Sequence, residues 1–434
     1  MLDPICAPAT PLLPSAIAVV RVSGSGLADR LRPLVTLPAA RQAGLRTLVW
    51  DGYRERCLVL HFPGPGSYTG EDLVEFQLHG NPLLVRRFLE HLGGMGIRMA
   101  EPGEFSRRAL LNGKQSLLEV EALRDLVAAA TDTQLRQAQA RSGGVPAWVA
   151  GARAALAPWM ARAEASVDYG EDEGIGLDVE AMQAALAPAA ALFHVEQGRA
   201  AGAKWLRDGI RIALVGRPNA GKSTLFNAMS GQDRAIVTDL PGTTRDVLEV
   251  RAQWAGLPLY LFDTAGLRHA EDPVERLGVA RVREVLEQVD LILHLVPLPD
   301  AAPDPDILER LEPFRAKVLT VRNQSDLGGN PCGDPCVSAA AGDLEPLAEA
   351  LRRRFLGALA PDACLGALDT ARQRGILDDL VVQMDLLGQL GPASPPELAA
   401  SLLQGAWGLL ARLTGEDRAE TSLDQLFSGF CLGK

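Results

Sequence analysis

IRIALVGRPNAGKST, residues 210–224, decides the fold class. A short apolar run leads into G-x-x-x-x-G-K-[ST], from Gly216 to Thr224, and a helical pattern follows. Strand, glycine-rich loop and helix in that order set backbone N–H groups at a helix N-terminus, where they can wrap phosphate oxygens. Lys222 is then placed to reach the β- and γ-phosphates, and the Ser223 hydroxyl to hold magnesium. By itself the motif also occurs as a glycine-rich turn without a ligand, so its neighbours carry the weight.

Further along the chain, PGTTRD supplies Thr243 and Thr244 on a loop that can fold over the γ-phosphate and magnesium. DTAG supplies Asp263 at a strand end, followed by Thr264, Ala265 and the Gly266 amide; NQSD and SAA each come just after an expected strand. These elements stand in the order of a guanine-nucleotide-binding domain. The nucleotide set is therefore Asn219, Ala220, Gly221, Lys222, Ser223, Thr224, Thr238, Thr243, Thr244, the DTAG residues, Asn323, Asp326, Ser338 and Ala339. Asp326 selects the base: its carboxylate can accept from guanine N1–H and the 2-amino group, whereas adenine would leave it unpaired. Asn323 would brace the loop. Gln324 replaces the usual lysine and is too short to lay a charged stem along the base plane, so weaker affinity is expected. Leu267 stands where Ras-like proteins carry the glutamine that orients the attacking water. Arg245 and Arg268 lie on the same segments and read equally well as solvated loop charges.

At 434 residues, 47% apolar and 22% charged, the chain can bury several cores and divides into two to four domains. Its six cysteines form no dense framework, which fits a reducing compartment. The N-terminus lacks a basic leader and no segment is apolar enough to span a bilayer, so a cytoplasmic address and no membrane are expected. A net charge of −11 argues against coating nucleic acid through a general basic field.

Residues 1–116 alternate β-like runs (AIAVVRVSG, RCLVLHF, DLVEFQLHG) with Gly/Pro turns and one helical stretch, an α+β pattern. Residues 117–207 are helical in texture, broken by VDYGEDEGIGLD, which reads as an acidic loop. In 208–360, the runs IRIALVG, PLYLFD, LILHLV, KVLTVRN and PCVSA alternate with helices, predicting a mostly parallel α/β sheet. Residues 361–434 return to helix. The chain is thus multidomain α+β and α/β, with one all-α domain interrupted by an inserted α/β domain.

GRPNAGKST, AIVTDLPGTTRDVL, DTAGLR with PVERLG, the terminal CLGK, and N-terminal RVSG, SYTGEDLVEFQLHG, EPGEFSRRALLNGK and LLEVEALRDL together resemble the bacterial tRNA-modification GTPases of the MnmE (TrmE) family. The resemblance covers the whole chain. It implies an N-terminal folate-binding and dimerisation domain, a discontinuous helical domain and an inserted Ras-like P-loop GTPase domain. It also implies a homodimer that works with the FAD-dependent partner MnmG (GidA), in a heterotetramer or larger complex, on a tRNA substrate. Together they would add a carboxymethylaminomethyl-type group to carbon 5 of the wobble uridine, drawing one carbon from a tetrahydrofolate derivative, the 5-formyl or methylene form.

In such proteins potassium supplies the positive charge that others take from an arginine finger. The resemblance gives the potassium ligands as Asn219, Thr238, Leu240 and Thr243, and the magnesium ligands as Ser223 and Thr244. It assigns catalysis to Glu275, acting through a bridging water, with Lys222 and Asp263. The plainer reading of Asn219 is a mere turn residue, and that of Glu275 a first-turn glutamate favoured by the helix dipole after Pro273, which can hold together with its catalytic role. For folate the positions carried over are Arg21, Glu75, Lys114 and Lys434, with Cys431 a candidate nucleophile or buried packing. The sequence departs from the family at LLPSAIAVV, where Pro14, Ser15 and Ala16 replace a glycine-rich segment, and HGNP replaces HGGP. A ribosome-assembly GTPase shares the G domain without explaining SYTGED or LNGK, and a nucleotide-dependent scaffold is the non-enzymatic alternative.

Overall fold

The computed structural model describes residues 3–173, 176–231, 249–263, 283–298, 303–327, 333–416 and 433, with 169–173, 249, 263 and 327 described by their backbone alone. The chain forms two compact units: Met1–Arg124 with Ala411–Lys434, and Asp125–Leu410.

In the first unit, β1 (Ile5–Pro8), β2 (Ser15–Gly24), helix α1 (Leu27–Leu31), β3 (Ala43–Trp50), β4 (Tyr53–Phe62), β5 (Asp72–Gly80), helix α2 (Pro82–Gly94) and β6 (Arg98–Met99) build a six-stranded sheet. Its order is β3-β4-β5-β2-β1-β6, antiparallel except where β1 meets β6. Alternation puts Val20 and Val22 of β2, Val59 of β4 and Phe76 of β5 on one face, where Val85, Phe88 and Leu92 of α2 cover them. Asn81 starts α2 by accepting at Oδ1 from the amides of Leu83 (2.9 Å) and Leu84 (3.1 Å). Helix α3 (Glu104–Leu111) lays Phe105 against Ile5 and Ala7, so β1 is buried on both sides. Helix α4 (Leu117–Ala128) follows.

The second unit contains α5 (Asp132–Arg141), α6 (Ala147–Glu173) and α7 (Val179–Asp208), then β7 (Ile210–Gly216), α8 (Lys222–Ser230), β8 (Glu249–Trp254), β9 (Leu257–Asp263), β10 (Leu291–Pro297), α9 (Pro305–Leu311), β11 (Val318–Asn323), α10 (Glu345–Leu356), α11 (Pro361–Cys364), α12 (Ala371–Gly388) and most of α13 (Pro396–Thr414), whose residues from Ala411 on belong to the first. Its sheet runs β11-β10-β7-β9-β8, parallel except for the β8–β9 hairpin. The run LILHLVP of β10, buried from Leu291 to Val296 and apolar apart from His294, fits a strand covered on both faces. Leu214, Leu259 and Leu293 join Ala203 and Leu206 of α7 and Leu347 and Leu351 of α10 in one core. Helix α7 also packs along α12, whose start is fixed by a capping box between Thr370 and Gln373.

Three expectations change. The acidic stretch VDYGEDEGIGLD is not a loop throughout, because α6 continues to Glu173; once a long helix exists, each further residue adds a hydrogen bond at little cost. PCVSA is no strand: Cys336 and Ser338 make only isolated bridges, to Arg322 and Asp343, and Pro335 has no N–H to extend a ladder. Strand β3, absent from the sequence reading, forms because Leu48 and Trp50 turn inward while Leu45, Thr47 and Val49 stay exposed.

Candidate functional site

The glycine-rich loop is shaped by its backbone. Asn219 (φ 64°) and Gly221 (φ 86°) both adopt the left-handed region, and a Cβ on Gly221 would lie 2.1 Å from Asn323 Nδ2, so glycine is required there. At the loop's start a Cβ on Gly216 would meet the Leu295 carbonyl oxygen at 2.6 Å. Lys222 opens α8, and its ammonium donates to the carbonyls of Gly216 (2.8 Å) and Arg217 (2.7 Å), which holds the charge across the loop. Ser223 and Thr224, in the first turn, are exposed. This places amides, a cation and two hydroxyls at one helix N-terminus, a set suited to phosphate oxygens and a hard cation.

Two further loops converge on this one. Asn323, 2% exposed at the end of β11, donates from Nδ2 to the Ala220 carbonyl (2.9 Å) and accepts at Oδ1 from the Ala339 amide (3.1 Å). One side chain thus ties together the phosphate loop, NQSD and SAA. Ser338 donates to Asp326 Oδ1 (2.6 Å) and accepts from the Ala341 amide (3.2 Å), which orients a carboxylate that remains exposed. Gln324 takes φ 64°, and its Nε2 lies 3.5 Å from the Asn219 carbonyl oxygen. Of the residues expected to act on a nucleotide, Asn219, Ala220, Gly221, Lys222, Ser223, Thr224, Asn323, Asp326, Ser338 and Ala339 are therefore described. The Asp263 backbone ends β9 in register with Leu214. Thr238, Leu240, Thr243, Thr244, Thr264, Ala265, Gly266 and Glu275 lie outside the described residues, as do Arg245, Leu267 and Arg268.

In the first unit Arg21 and Glu75 face each other across β2 and β5, with Arg21 Nε and Nη2 at 2.9 and 2.8 Å from Glu75 Oε1. The guanidinium stands over the rings of Tyr68 (5.6 Å) and Phe105 (5.9 Å), and Nη1 donates to the Gly433 carbonyl (3.3 Å). Gly433 therefore lies beside this sheet. Lys434 and Cys431 lie outside the described residues. Exposed Lys114 runs its stem past Gly70, where a Cβ would lie 3.3 Å from Lys114 Cγ and Cε. Tyr68 sits on the same loop; burial pushes its phenol up, against its hydrogen bond to Ser106 and the nearby Arg21. Beside Tyr68, Gln115 Oε1 is buried with no partner among the described residues, an acceptor suited to the N–H donors of a polar heterocycle.

Sequence reasoning missed Tyr68, Phe105 and Gln115, and it missed the charged web behind them. Arg108, 1% exposed in its side chain, joins Glu71 (3.0 Å) to Glu104 (2.8 Å), and Arg98 reaches Glu104 at 2.6 Å. Burial pushes Glu104 up, but the two arginines and the Glu101 amide outweigh it and leave the carboxyl at about 2. SYTGED contains Tyr68 and Glu71, and EPGEFSRR contains Glu104, Phe105 and Arg108, yet nothing in a linear reading shows that they meet. No group of residues able to hold a metal through His, Cys, Asp or Glu occurs among the described residues, and none of the described helices is long and apolar enough to cross a membrane.

Residues 4–114 match the family described as GTP-binding protein TrmE N-terminus, and residues 211–324 that described as 50S ribosome-binding GTPase. The chain is 42% identical to a tRNA modification GTPase MnmE of Acidiphilium cryptum, covering 100% of this chain and 99% of the relative. It is 40% identical to another of that name from Methylobacterium radiotolerans, over 100% and 99%. The 5-taurinomethyluridine-[tRNA] synthase subunit GTPB3, mitochondrial, of Homo sapiens is 40% identical over 96% of this chain and 90% of the relative.

Proposed function

The chain belongs to the tRNA modification GTPase MnmE family, and from that premise we propose that its GTP hydrolysis is potassium-stimulated and serves wobble-uridine modification in the cytoplasm. The whole-chain likeness carries the reading, and the convergence of three loops on Asn323, which ties the phosphate loop to NQSD and SAA, supports it. Lys222 neutralises phosphate charge. Ser223, with Thr244, would hold magnesium, which supplies charge stabilisation where phosphoryl oxygens become more negative. Asn219 would hold potassium with Thr238, Leu240 and Thr243, in the place of an arginine finger. Asp263 and Glu275 complete the catalytic set, Glu275 by orienting water.

The same reading takes the chain as a homodimer with an inserted G domain, acting with the flavin-dependent MnmG. The pair would add a carboxymethylaminomethyl-type group to carbon 5 of the uridine. Glu75, Arg21, Lys114 and Lys434 would bind the tetrahydrofolate derivative: Glu75 accepts from pterin donors, and the cations attract glutamyl carboxylates. The partnerless Gln115 oxygen beside Tyr68 fits such a donor-rich ligand. Cys431 is a candidate nucleophile, which a Cys431→Ser chain with normal modification would exclude.

The test is the GTPase rate in potassium against sodium, followed by wobble-uridine analysis in a deletion strain complemented with wild type or Glu275→Ala. We expect potassium to raise the rate, wild type alone to restore the base, and Glu275→Ala to keep nucleotide affinity. Equal rates in both salts overturn the cation's role. The likeness of residues 211–324 to the 50S ribosome-binding GTPases favours a second reading, a ribosome-binding GTPase. Unchanged tRNA in the deletion strain would select it.

A further inference from the structure

Helix α5 presents Thr133, Gln134, Gln137 and Arg141 from one face, all buried, and every one of them bonds to the α/β domain or to the segments that enter and leave it. At its first turn the Thr133 amide donates to Gln253 Oε1 (3.0 Å), and the Thr133 hydroxyl to the Gly256 carbonyl (3.2 Å). One residue on, Gln134 Nε2 donates to the Arg207 carbonyl (2.8 Å), at the entry to β7. A turn later Gln137 donates to Asp369 Oδ2 (2.8 Å) and accepts from the Gly366 amide (2.9 Å), and Arg141 reaches Asp369 Oδ1 at 2.7 Å.

Gln253 and Gly256 belong to the tip of the β8–β9 hairpin. In sequence, PGTTRD stands two residues before β8, and β9 ends at Asp263 of DTAG, so the hairpin lies between these two motifs along the chain. Strand β9 pairs in parallel with β7, Leu214 opposite Asp263, two residues before the phosphate loop begins. A shift of the hairpin is therefore carried along β9 to the Asp263 backbone, beside the strand that leads into the phosphate loop, and β8 is an edge strand whose outer side no strand holds among the described residues. Ala255 in the turn takes φ 54°, a conformation that an L-residue adopts only when its surroundings impose it.

We propose that Gln253 is a positioning residue for GTP hydrolysis: docked on the N-terminus of α5 with Thr133, it holds the tip of the β8–β9 hairpin and thereby the placement of the Asp263 backbone at the end of β9 beside β7. This rests on the GTPase reading above and adds a residue to it that touches no nucleotide.

The test compares Gln253→Leu, Gln253→Glu and Thr133→Val in the full chain, by GTP turnover, melting temperature and hydrogen exchange of the hairpin amides. Gln253→Leu should lower kcat about tenfold with KM for GTP nearly unchanged, the signature of a misplaced reacting geometry. Gln253→Glu keeps an acceptor facing a helix N-terminus and should recover kcat to within about twofold of wild type. Thr133→Val, which keeps shape and the amide bond, should lower kcat about threefold and speed hairpin exchange; it carries the test if Gln253→Leu does not fold. Wild-type kcat in Gln253→Leu, or a fall in kcat that only follows melting temperature and is not rescued by Gln253→Glu, overturns the inference. A wild-type chain without GTPase activity overturns the parent reading, and the inference falls with it.

Discussion

Replacing Asn323 by aspartate tests the brace beneath the nucleotide site by changing a single atom's chemistry. The bond from Oδ1 to the Ala339 amide survives, while the Nδ2 donor 2.9 Å from the Ala220 carbonyl becomes a second acceptor. Ala220 is fully buried and Asn323 is 2% exposed, so water cannot repair the pair. Losing one hydrogen bond and stranding a buried acceptor costs about 2–3 kcal/mol. If that falls on the arrangement that receives phosphate, the dissociation constant for a guanine nucleotide rises about 30- to 150-fold. Titration with a fluorescent GDP analogue, beside urea unfolding of the same protein, separates lost affinity from lost stability. Asn323→Ala should weaken binding similarly, because it removes both bonds but introduces no repulsion. An Asn323→Asp chain that binds as wild type would mean the amide does not hold the phosphate loop.

The web at Glu104 makes stability acid-sensitive. Its folded pKa of about 2 lies below the ordinary 4.5, so its contribution is complete above pH 4.5 and is lost as pH falls towards 2, about 3 kcal/mol in all. Urea midpoints between pH 6 and 3 should fall steeply in wild type and less in Glu104→Gln; parallel slopes would contradict this. Ala255→Asn should raise stability by about 0.5–1 kcal/mol, because asparagine tolerates the left-handed turn ahead of Gly256, and thermal melting will show it. Gln324→Lys should tighten guanine-nucleotide binding about fivefold, its ammonium donating more strongly to the Asn219 carbonyl than the amide at 3.5 Å; calorimetry showing no gain would place the affinity elsewhere.

Phosphate chemistry was legible because it is local. Gly221 and Lys222 must be adjacent, Asn323 must end a strand, and a linear reading sees both. The face of α5 was not legible, since Thr133, Gln134, Gln137 and Arg141 read as an ordinary solvated helix until their partners are known. Those partners lie far along the chain: Gln253 is 120 positions from Thr133, and Asp369 is 232 from Gln137. A buried polar side chain and an exposed one are spelled alike, and only the topology that brings its partner to it separates them. PCVSA failed for the opposite reason, because β-like composition outweighed the one feature that mattered, the missing N–H of Pro335.

The pairing of Arg21 with Glu75 changes what those residues can do. Read separately, one is a cation for carboxylates and the other an acceptor for heterocyclic donors. Folded, they are 54 positions apart in sequence and direct neighbours across two strands, with side chains 23% and 18% exposed. Arg21 is already engaged by Glu75, by the rings of Tyr68 and Phe105, and at Nη1 by the Gly433 carbonyl. A guanidinium so committed serves best to hold the Glu75 carboxylate aimed, leaving Oε2 as the atom able to accept from a ligand. The Gly433 contact then has a physical purpose of its own: by adding an acceptor to Arg21, the end of the chain helps fix the carboxylate that a ligand would meet.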